Sequence, residues 1–387
     1  MPTVTEMNKP FTLQRRQWLV YASSLAAPLA LPAGAAVRAP QLAAAWEGSE
    51  GYQVGVLRQR GAALEVNAAL DVPTRAHGVW AEAGGTLLAV ARRPGDWLLR
   101  WRPDGHQGGE AIAWGWIEPD RAFNGHVIAS PDGKRLYTTE THLETGQGLI
   151  GLRDAATLEK TAEWPTHGMD PHELLLDADG SLMVANGGIP ALPETGRLKI
   201  HMDRMDASLV RLDTRTGELR GQWRLADRRL SLRHMAWADG AGGAGGASQR
   251  LLGIALQAEH DDGATKAAAP VLAVFDGQRL QTHAAGPGPS LAGYGGDIAP
   301  AGGGFAVSCP RANGVALWRA DGEWAGFLPL QEACALAAVA TQKNEAPGLW
   351  AAGRLAALTQ DSRGAVRASA LKDLRLDNHW APLGATG

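Results

Sequence analysis

The chain has 387 residues, of which 45% are hydrophobic and 20% charged, and its formal net charge at pH 7 is −3. This composition is typical of a globular protein and excludes the basic field of a nucleic-acid-binding protein as well as a long acidic tail. The 49 glycines and 22 prolines are spread along the chain, which favours many short strands joined by turns over a helical fold.

The first 35 residues have the organisation of an export signal. Arg15 and Arg16 precede an uncharged apolar stretch over 18–31, and small residues follow at 33–36. This order is typical of a signal peptide, and the arginine pair indicates a twin-arginine-type route to the periplasm. Because the apolar stretch is too short to span a bilayer, we predict a cleaved signal over 1–35, one mature domain over 36–387, and no integral membrane segment after cleavage.

One hairpin pattern recurs along the predicted domain: an apolar strand, a glycine-rich turn and a second apolar strand, followed by another pair of strands. The first five hairpins begin 46 to 62 residues apart, and their turns carry the glycines that a positive φ requires. Their first residues are His77, His126, His172, His234 and Gly296, with weaker copies near Cys334 and at His379. Four strands in such a span form the unit of a propeller blade of the WD40 or YVTN type.

The two ends of the domain together supply one further blade. Residues 42–70 provide three strands without an inner strand before them, and residues 376–380 provide a single inner strand at the end of the chain. Joined, they close the ring and remove its free sheet edges. We therefore predict an all-β, seven-bladed β-propeller closed by strands from both termini, and we prefer it to an open sandwich of loose repeats.

Five histidines share one predicted position in the blades. The first strand of each blade lines the central channel, so residues that open this strand meet at one mouth of the channel. The candidate metal ligands at this position are His77, His126, His172, His234 and His379. Imidazoles around an axis suit a divalent transition metal such as iron or copper, or an anionic ligand. Alternatively, each histidine only caps the turn into its strand through a backbone carbonyl.

Polar loops on the same face predict a ligand site beside the histidines, since binding residues concentrate on loops held by a rigid scaffold. The candidate ligand-binding residues are His167, Glu173, Asn186, Arg197, Lys199, Arg233 and Gln257. Of these, Arg197, Lys199 and Arg233 are expected to bind anionic groups. Catalytic residues stay unassigned, because the sequence contains no Gly-x-Ser-x-Gly, His-Glu-x-x-His or phosphate-loop motif.

The two cysteines, Cys309 and Cys334, have neither the spacing of a metal knuckle nor that of a redox pair. One interpretation is a disulfide that forms between them after export to an oxidising compartment. Two free, buried and inert thiols are the preferred interpretation.

Short strings along the chain carry a family resemblance. The most specific are Pro-His-Glu-Leu at 171–174 and Ala-Asn-Gly-Gly-Ile at 185–189. On these residues the chain resembles the bacterial domain-of-unknown-function family 1513, which is related to quinoprotein- and lactonase-like propellers. The resemblance implies a periplasmic propeller, commonly exported by the twin-arginine route, and an association with imelysin-type iron-uptake proteins. It implies no established activity.

Three classes of function fit these observations. The leading hypothesis is a periplasmic binding or accessory protein in metal handling, above all of iron, with His126, His172 and His234 at the core of its site. The alternative is an enzyme on the same face, either a cofactor-dependent oxidoreductase or a lactonase-like hydrolase, and the third class is a pure interaction platform. Carboxylates gathered with the histidines would favour metal, whereas a deep pocket of arginine and lysine would favour an acidic cofactor.

Overall fold

The computed structural model describes residues 41–383 apart from 62, 106–107, 191–198, 200, 240–249, 340–346, 362 and 372–373. The described chain forms seven four-stranded antiparallel blades, and a single parallel bridge between Ala63 and Ala370 joins the first and last blades into one eight-stranded sheet. Their inner strands contact one another in a closed cycle around the axis. The predicted signal over 1–35 and the candidate residue Arg197 lie outside the described residues.

The first four blades are numbered in chain order, and the inner strand of blade 1 comes from the end of the chain. Blade 1 contains β1 (Gln41–Glu47), β2 (Tyr52–Arg60) and β3 (Ala63–Val72). Blade 2 contains β4 (Ala76–Ala81), β5 (Leu87–Ala91), β6 (Trp97–Pro103) and β7 (Gly109–Trp116). Blade 3 contains β8 (Arg121–Ala129), β9 (Arg135–His142), β10 (Gln147–Asp154) and β11 (Lys160–Met169), and blade 4 contains β12 (Pro171–Leu176), β13 (Leu182–Asn186), β14 (Ser208–Leu212) and β15 (Leu219–Trp223).

The remaining strands complete the ring. Blade 5 contains β16 (Leu230–Asp239), β17 (Arg250–Ala258), β18 (Leu272–Phe275) and β19 (Leu280–His283), and blade 6 contains β20 (Ile298–Ala301), β21 (Gly304–Cys309), β22 (Gly314–Arg319) and β23 (Trp324–Pro329). Blade 7 contains β24 (Leu336–Val339), β25 (Gly348–Ala352), β26 (Ala356–Gln360) and β27 (Val366–Ala370), and β28 (Arg375–Leu383) is the inner strand of blade 1.

The predicted seven-bladed propeller and its closure are confirmed. β28 pairs antiparallel with β1, and the ladder runs from Gln41 opposite Leu383 to Glu47 opposite Arg375. The first and last strands of the described chain thus share one sheet. β28 lines the channel as the inner strand of blade 1, as the inner strands of the other blades do, and the ring is closed.

Strand composition follows from position within a blade. β5 and β13 are buried at all five residues because neighbouring blades cover both faces of these strands. Their sequences are therefore apolar, apart from Asn186 at the end of β13. The outer strand β7 is exposed along much of its length. Blades pack closely where a glycine admits a large neighbour: a Cβ on Gly253 would lie 2.5 Å from the ring of Phe305.

Helical structure is minor in the described chain. The helix α1 (Gly263–Ala268) begins after Asp262, whose carboxylate accepts a hydrogen bond from the backbone N–H of Thr265. Two short 3₁₀ turns occupy Met202–Arg204 and Pro310–Ala312. Among the described residues there is no helix with the length and apolarity needed to cross a membrane.

Both cysteines are free thiols. Cys309 is completely buried at the end of β21, and burial raises the pKa of its thiol to about 12. A thiol that stays protonated is a poor nucleophile and metal ligand, so the structure gives Cys309 a packing role.

Candidate functional site

Five inner strands each bring one buried histidine to the channel axis. Their imidazoles pack against one another, with ring centroids 4.2 Å apart for His234 and His379 and 4.5 Å apart for His77 and His379. One nitrogen from each of four histidines lies within 4.8 Å of the nitrogens of the other three, and these four are His77, His126, His234 and His379. We call them the histidine cluster. His172 lies beside it, with Nε2 2.8 Å from Nε2 of His234.

Each of these five histidines sits in a β-bulge of its inner strand. In β4 the pairing steps from Ala76 to Val79, so His77 and the next residue together face one residue of β5. The same two-against-one interruption surrounds His172 and His234. At His126 and His379 the interruption is larger, and three residues of the inner strand face one residue of its neighbour. β20 and β24 carry no histidine, and over their described lengths they pair without a bulge. Because a bulge can re-aim a side chain, these interruptions help turn the imidazoles toward the axis.

Burial keeps most of these imidazoles neutral. It lowers the pKa of His77, His126, His172 and His234 well below the ordinary value, and repulsion from neighbouring imidazoles and arginines adds to the effect. Burial acts in the same direction on His379, but the acidic groups of Asp297, Glu173 and Asp377 together outweigh it and raise the pKa of His379. Neutral imidazole is the form that binds metal ions.

Oxygen atoms lie behind three of the four clustered histidines. Nδ1 of His234 donates a hydrogen bond to the carbonyl oxygen of Gly296. Nδ1 of His379 lies 3.4 Å from a carboxylate oxygen of Asp297, and Nδ1 of His126 lies 3.7 Å from Glu173. The Nε2 atoms are thereby directed into the cluster, where Nε2 of His126 is buried without a hydrogen-bond partner among the described residues.

The two carboxylates at the cluster are anchored to the inner strands. Glu173 accepts a hydrogen bond from the backbone N–H of Met235, and burial raises its pKa to about 8. Asp297 accepts from the backbone N–H groups of Ile298 and Leu336, each at 2.9 Å. Two carboxyl groups therefore lie with the histidines at the axis, and burial keeps that of Glu173 mostly protonated at neutral pH.

A cavity of about 530 Å³ opens at the channel mouth and reaches the histidines, of which His77, His172 and His234 line it. Most of its other lining comes from loops between the second and third strands of the blades and from the starts of inner strands. The charged lining residues are Arg92, Arg93, Asp96, Arg121, Asp170, Lys199, Arg233 and Arg311.

Arg233 is the most buried cation of this cavity, at 1% exposure. Its Nη1 donates to a carboxylate oxygen of Asp170 at 3.0 Å and lies 3.5 Å from Nδ1 of His172. Its Nε and Nη2 have no hydrogen-bond partner within the described part of the chain. Burial lowers the pKa of Arg233, and Asp170 opposes that shift.

The described candidate ligand-binding residues divide into three groups. Lys199, Arg233 and Gln257 line the cavity. His167 is exposed, and Asn186 donates hydrogen bonds to the Thr166 carbonyl and the Ser208 hydroxyl, so neither faces the cavity. Glu173 is placed at the histidine cluster.

Sequence reasoning missed Arg92, Arg93 and Arg121, which all line the cavity. Arg92 and Arg93 directly follow β5. A basic pair in the loop between the second and third strands of a blade, on the same face as the histidines, was the available signal.

Comparisons with solved structures support the architecture. A protein from Lactobacillus plantarum is 14% identical with a TM-score of 0.57, and the match covers 90% of this chain and 100% of that one. The hydrazine synthase of Kuenenia stuttgartiensis is 12% identical with a TM-score of 0.54, covering 85% and 95%. A catalytically inactive virginiamycin B lyase from Staphylococcus aureus with quinupristin is 11% identical with a TM-score of 0.52, covering 78% and 87%. At such identities the likeness shows the fold alone.

No curated protein matches the chain in sequence. A family model does match, over residues 70–383, and its description is a protein of unknown function, DUF1513. The match includes all five axial histidines and spans most of the propeller, so this chain belongs to the DUF1513 family.

Proposed function

We propose that this protein binds one divalent transition-metal ion, iron or copper, through His77, His126, His234 and His379. The observation that carries the proposal is the convergence of four buried imidazole nitrogens within 4.8 Å of one another. Imidazole suits iron, copper and zinc as a ligand. Among the nitrogens of these four rings, Nε2 of His126 and Nδ1 of His77 are buried without a hydrogen-bond partner in the described chain. An unpaired buried polar atom costs free energy, and a bound cation would satisfy Nε2 of His126.

The groups behind the rings support the same function. Histidine ligands of metals usually donate their other N–H to a carboxylate or a backbone carbonyl, which fixes the ring and makes it a better ligand. Asp297 and the Gly296 carbonyl stand in these positions for His379 and His234, and Glu173 lies near His126.

Metal binding requires a small rearrangement at His172. With metal–nitrogen bonds of about 2.1 Å, two nitrogens on one ion lie at most about 4.2 Å apart, so a pair of nitrogens 4.8 Å apart would have to approach by at least about 0.6 Å. Nε2 of His234 cannot both coordinate an ion and accept the hydrogen bond of His172 that the 2.8 Å contact represents. An ion would therefore release His172 toward the cavity or take it as a further ligand.

Titration of the metal-free protein tests this function. We expect one Fe²⁺ or Cu²⁺ per chain by anaerobic calorimetry, and an ion at 100 times its Kd should stabilise the fold by about 2.7 kcal/mol. His234→Ala should lose this binding. His283→Ala should retain it, because His283 ends the outermost strand of the same blade. Absence of stoichiometric metal and of any thermal stabilisation in the unmodified protein would refute the proposal, as would equal binding by His234→Ala.

We further propose that the protein serves metal handling in the periplasm, as an accessory to imelysin-type iron-uptake proteins. The predicted signal over 1–35 and the family resemblance support this role. The full chain expressed in a Gram-negative host should appear in the periplasm, shortened to begin near residue 36. Replacing Arg15 and Arg16 by lysine should block export, whereas Arg38→Lys should not. An uncleaved cytoplasmic product would contradict the location, and failure to co-purify an imelysin-type protein would contradict the partner.

An oxidoreductase is the second candidate function. The observation in its favour is that the cavity reaches three of the axial histidines, so a small molecule in the cavity would touch a metal ion held there. Turnover by the metal-loaded protein that disappears in His234→Ala would distinguish an enzyme from a binding protein.

A further inference from the structure

The cavity above the histidine cluster holds more positive charge than its own acids balance. Six cationic side chains line it, against the two carboxylates of Asp96 and Asp170. Three of the cations have carboxylates outside the lining: Asp377 faces Arg92, Glu163 faces Arg121, and Glu259 faces Lys199. The other three are Arg93, Arg233 and Arg311.

Arg93 and Arg233 share a single carboxylate. Each guanidinium bonds to one oxygen of Asp170, so one negative charge serves two positive charges. The buried Nε and Nη2 of Arg233 remain without a partner in the described chain. A buried donor without an acceptor is costly, and a hydrogen bond from a cation to an anion is among the strongest in proteins. Arg233 therefore marks a place for an anionic group from outside the chain.

Arg311 supplies a second uncompensated charge at the rim. It lies over the ring of Tyr294, 4.1 Å from the centroid. Within the described residues no carboxylate lies within ion-pair distance of it, and its side chain is exposed. Its position above an aromatic face suits a flat ligand that stacks and carries negative charge.

The rest of the lining argues for a ligand with an organic body. Ile117, Leu143, Ile189 and Tyr294 contribute apolar surface to the cavity. Its volume of about 530 Å³ falls in the range of small-molecule sites, which combine apolar walls with a few fixed polar groups. An inorganic anion could pair with the arginines, but it would leave the apolar lining of the cavity in contact with water.

We propose that this cavity binds a small organic diacid, one carboxylate held by Arg233, the other by Arg311, and its apolar body packed against the wall formed by Ile117, Leu143 and Ile189. This inference does not require a metal ion, although the site adjoins the proposed metal centre. Because the diacid is tested on the metal-free protein, absence of diacid binding would not contradict the metal proposal, and absence of metal binding would not contradict the diacid proposal.

The three benzenedicarboxylate isomers are suitable probes, because they share an apolar ring and present two carboxylates at different separations. In calorimetric titrations of metal-free protein, we expect at least one isomer to bind once per chain. Its dimethyl ester, which lacks the charges, and inorganic phosphate, which lacks the ring, should each bind at least about tenfold more weakly. Absence of binding by all three isomers, or equal binding by ester or phosphate, would overturn the proposal.

Three arginine variants locate the site. Arg311→Gln should weaken binding of the best isomer about tenfold, and it endangers the fold little because Arg311 is exposed. Arg233→Gln should weaken it more, with folding verified by thermal melting because the Arg233 side chain is buried. Arg250→Gln is the matched control, since Arg250 stacks on Trp237 and does not line the cavity. Undiminished binding in Arg311→Gln, or an equal loss in Arg250→Gln, would place the ligand elsewhere and refute the site.

Discussion

Replacing Glu140 with alanine is expected to lower the free energy of unfolding by about 3–5 kcal/mol, because it leaves a buried charge without its partner. Glu140 is fully buried in blade 3. One of its oxygens lies 2.8 Å from Nη2 of Arg153 and the other 3.0 Å from Nζ of Lys160. Arg153 is itself 1% exposed, and its remaining carboxylate neighbour is the half-exposed Glu118 at 3.3 Å.

Guanidinium denaturation, monitored by tryptophan fluorescence, would measure this loss of stability. Glu144→Ala is the matched control: Glu144 lies in the exposed loop that follows β9, and its removal should change stability by no more than about 0.5 kcal/mol. Replacing Glu140 and Arg153 together by apolar residues should recover much of the stability, because no unpaired charge then remains. Equal stability of Glu140→Ala and Glu144→Ala would show that the buried network contributes nothing.

Asp297→Asn is expected to weaken metal binding by about 10- to 100-fold, the usual effect of removing a group that orients a histidine ligand. One oxygen of Asp297 faces Nδ1 of His379 and accepts from Ile298, and the other accepts from the backbone of Leu336. An asparagine has one oxygen, so its amide N–H groups must face a donor on one side or the other.

Calorimetric titration with Fe²⁺ or Cu²⁺ would measure the effect on affinity, and thermal melting without metal would measure any separate loss of stability. Asp321→Asn is the control in the same blade, since Asp321 lies in an exposed turn where an amide oxygen can still accept from the backbone of Glu323. If Asp297→Asn bound metal as tightly as Asp321→Asn, the carboxylate would have no orienting role.

The fold was predictable because a propeller repeats its signal. Hairpins opened by His77, His126 and His172 appear at nearly regular spacing, and each copy reinforces the others. The closing blade was predicted because the three strands at the start of the domain lacked an inner strand, and residues 376–380 could supply one. β28 (Arg375–Leu383) confirms this prediction.

For the candidate site, the sequence predicted only the position within the fold. Sequence placed the histidines at the start of inner strands, but the bulges that interrupt their pairing depend on register with a second strand, which spacing does not reveal. The pair of Arg233 and Asp170 joins residues 63 positions apart in different blades, so no local pattern shows it. Local polarity also failed to separate inward from outward groups, as exposed His167 shows.

The closure of the ring has a consequence for when the proposed metal site can form. His379 arrives on β28, the strand that completes blade 1 against β1. A chain still emerging from synthesis, or one cut before residue 375, presents three of the four clustered imidazoles and lacks one ligand of the proposed set. Under the proposed function, an ion would bind only after the two ends of the domain have met, and the bound ion would then resist their separation.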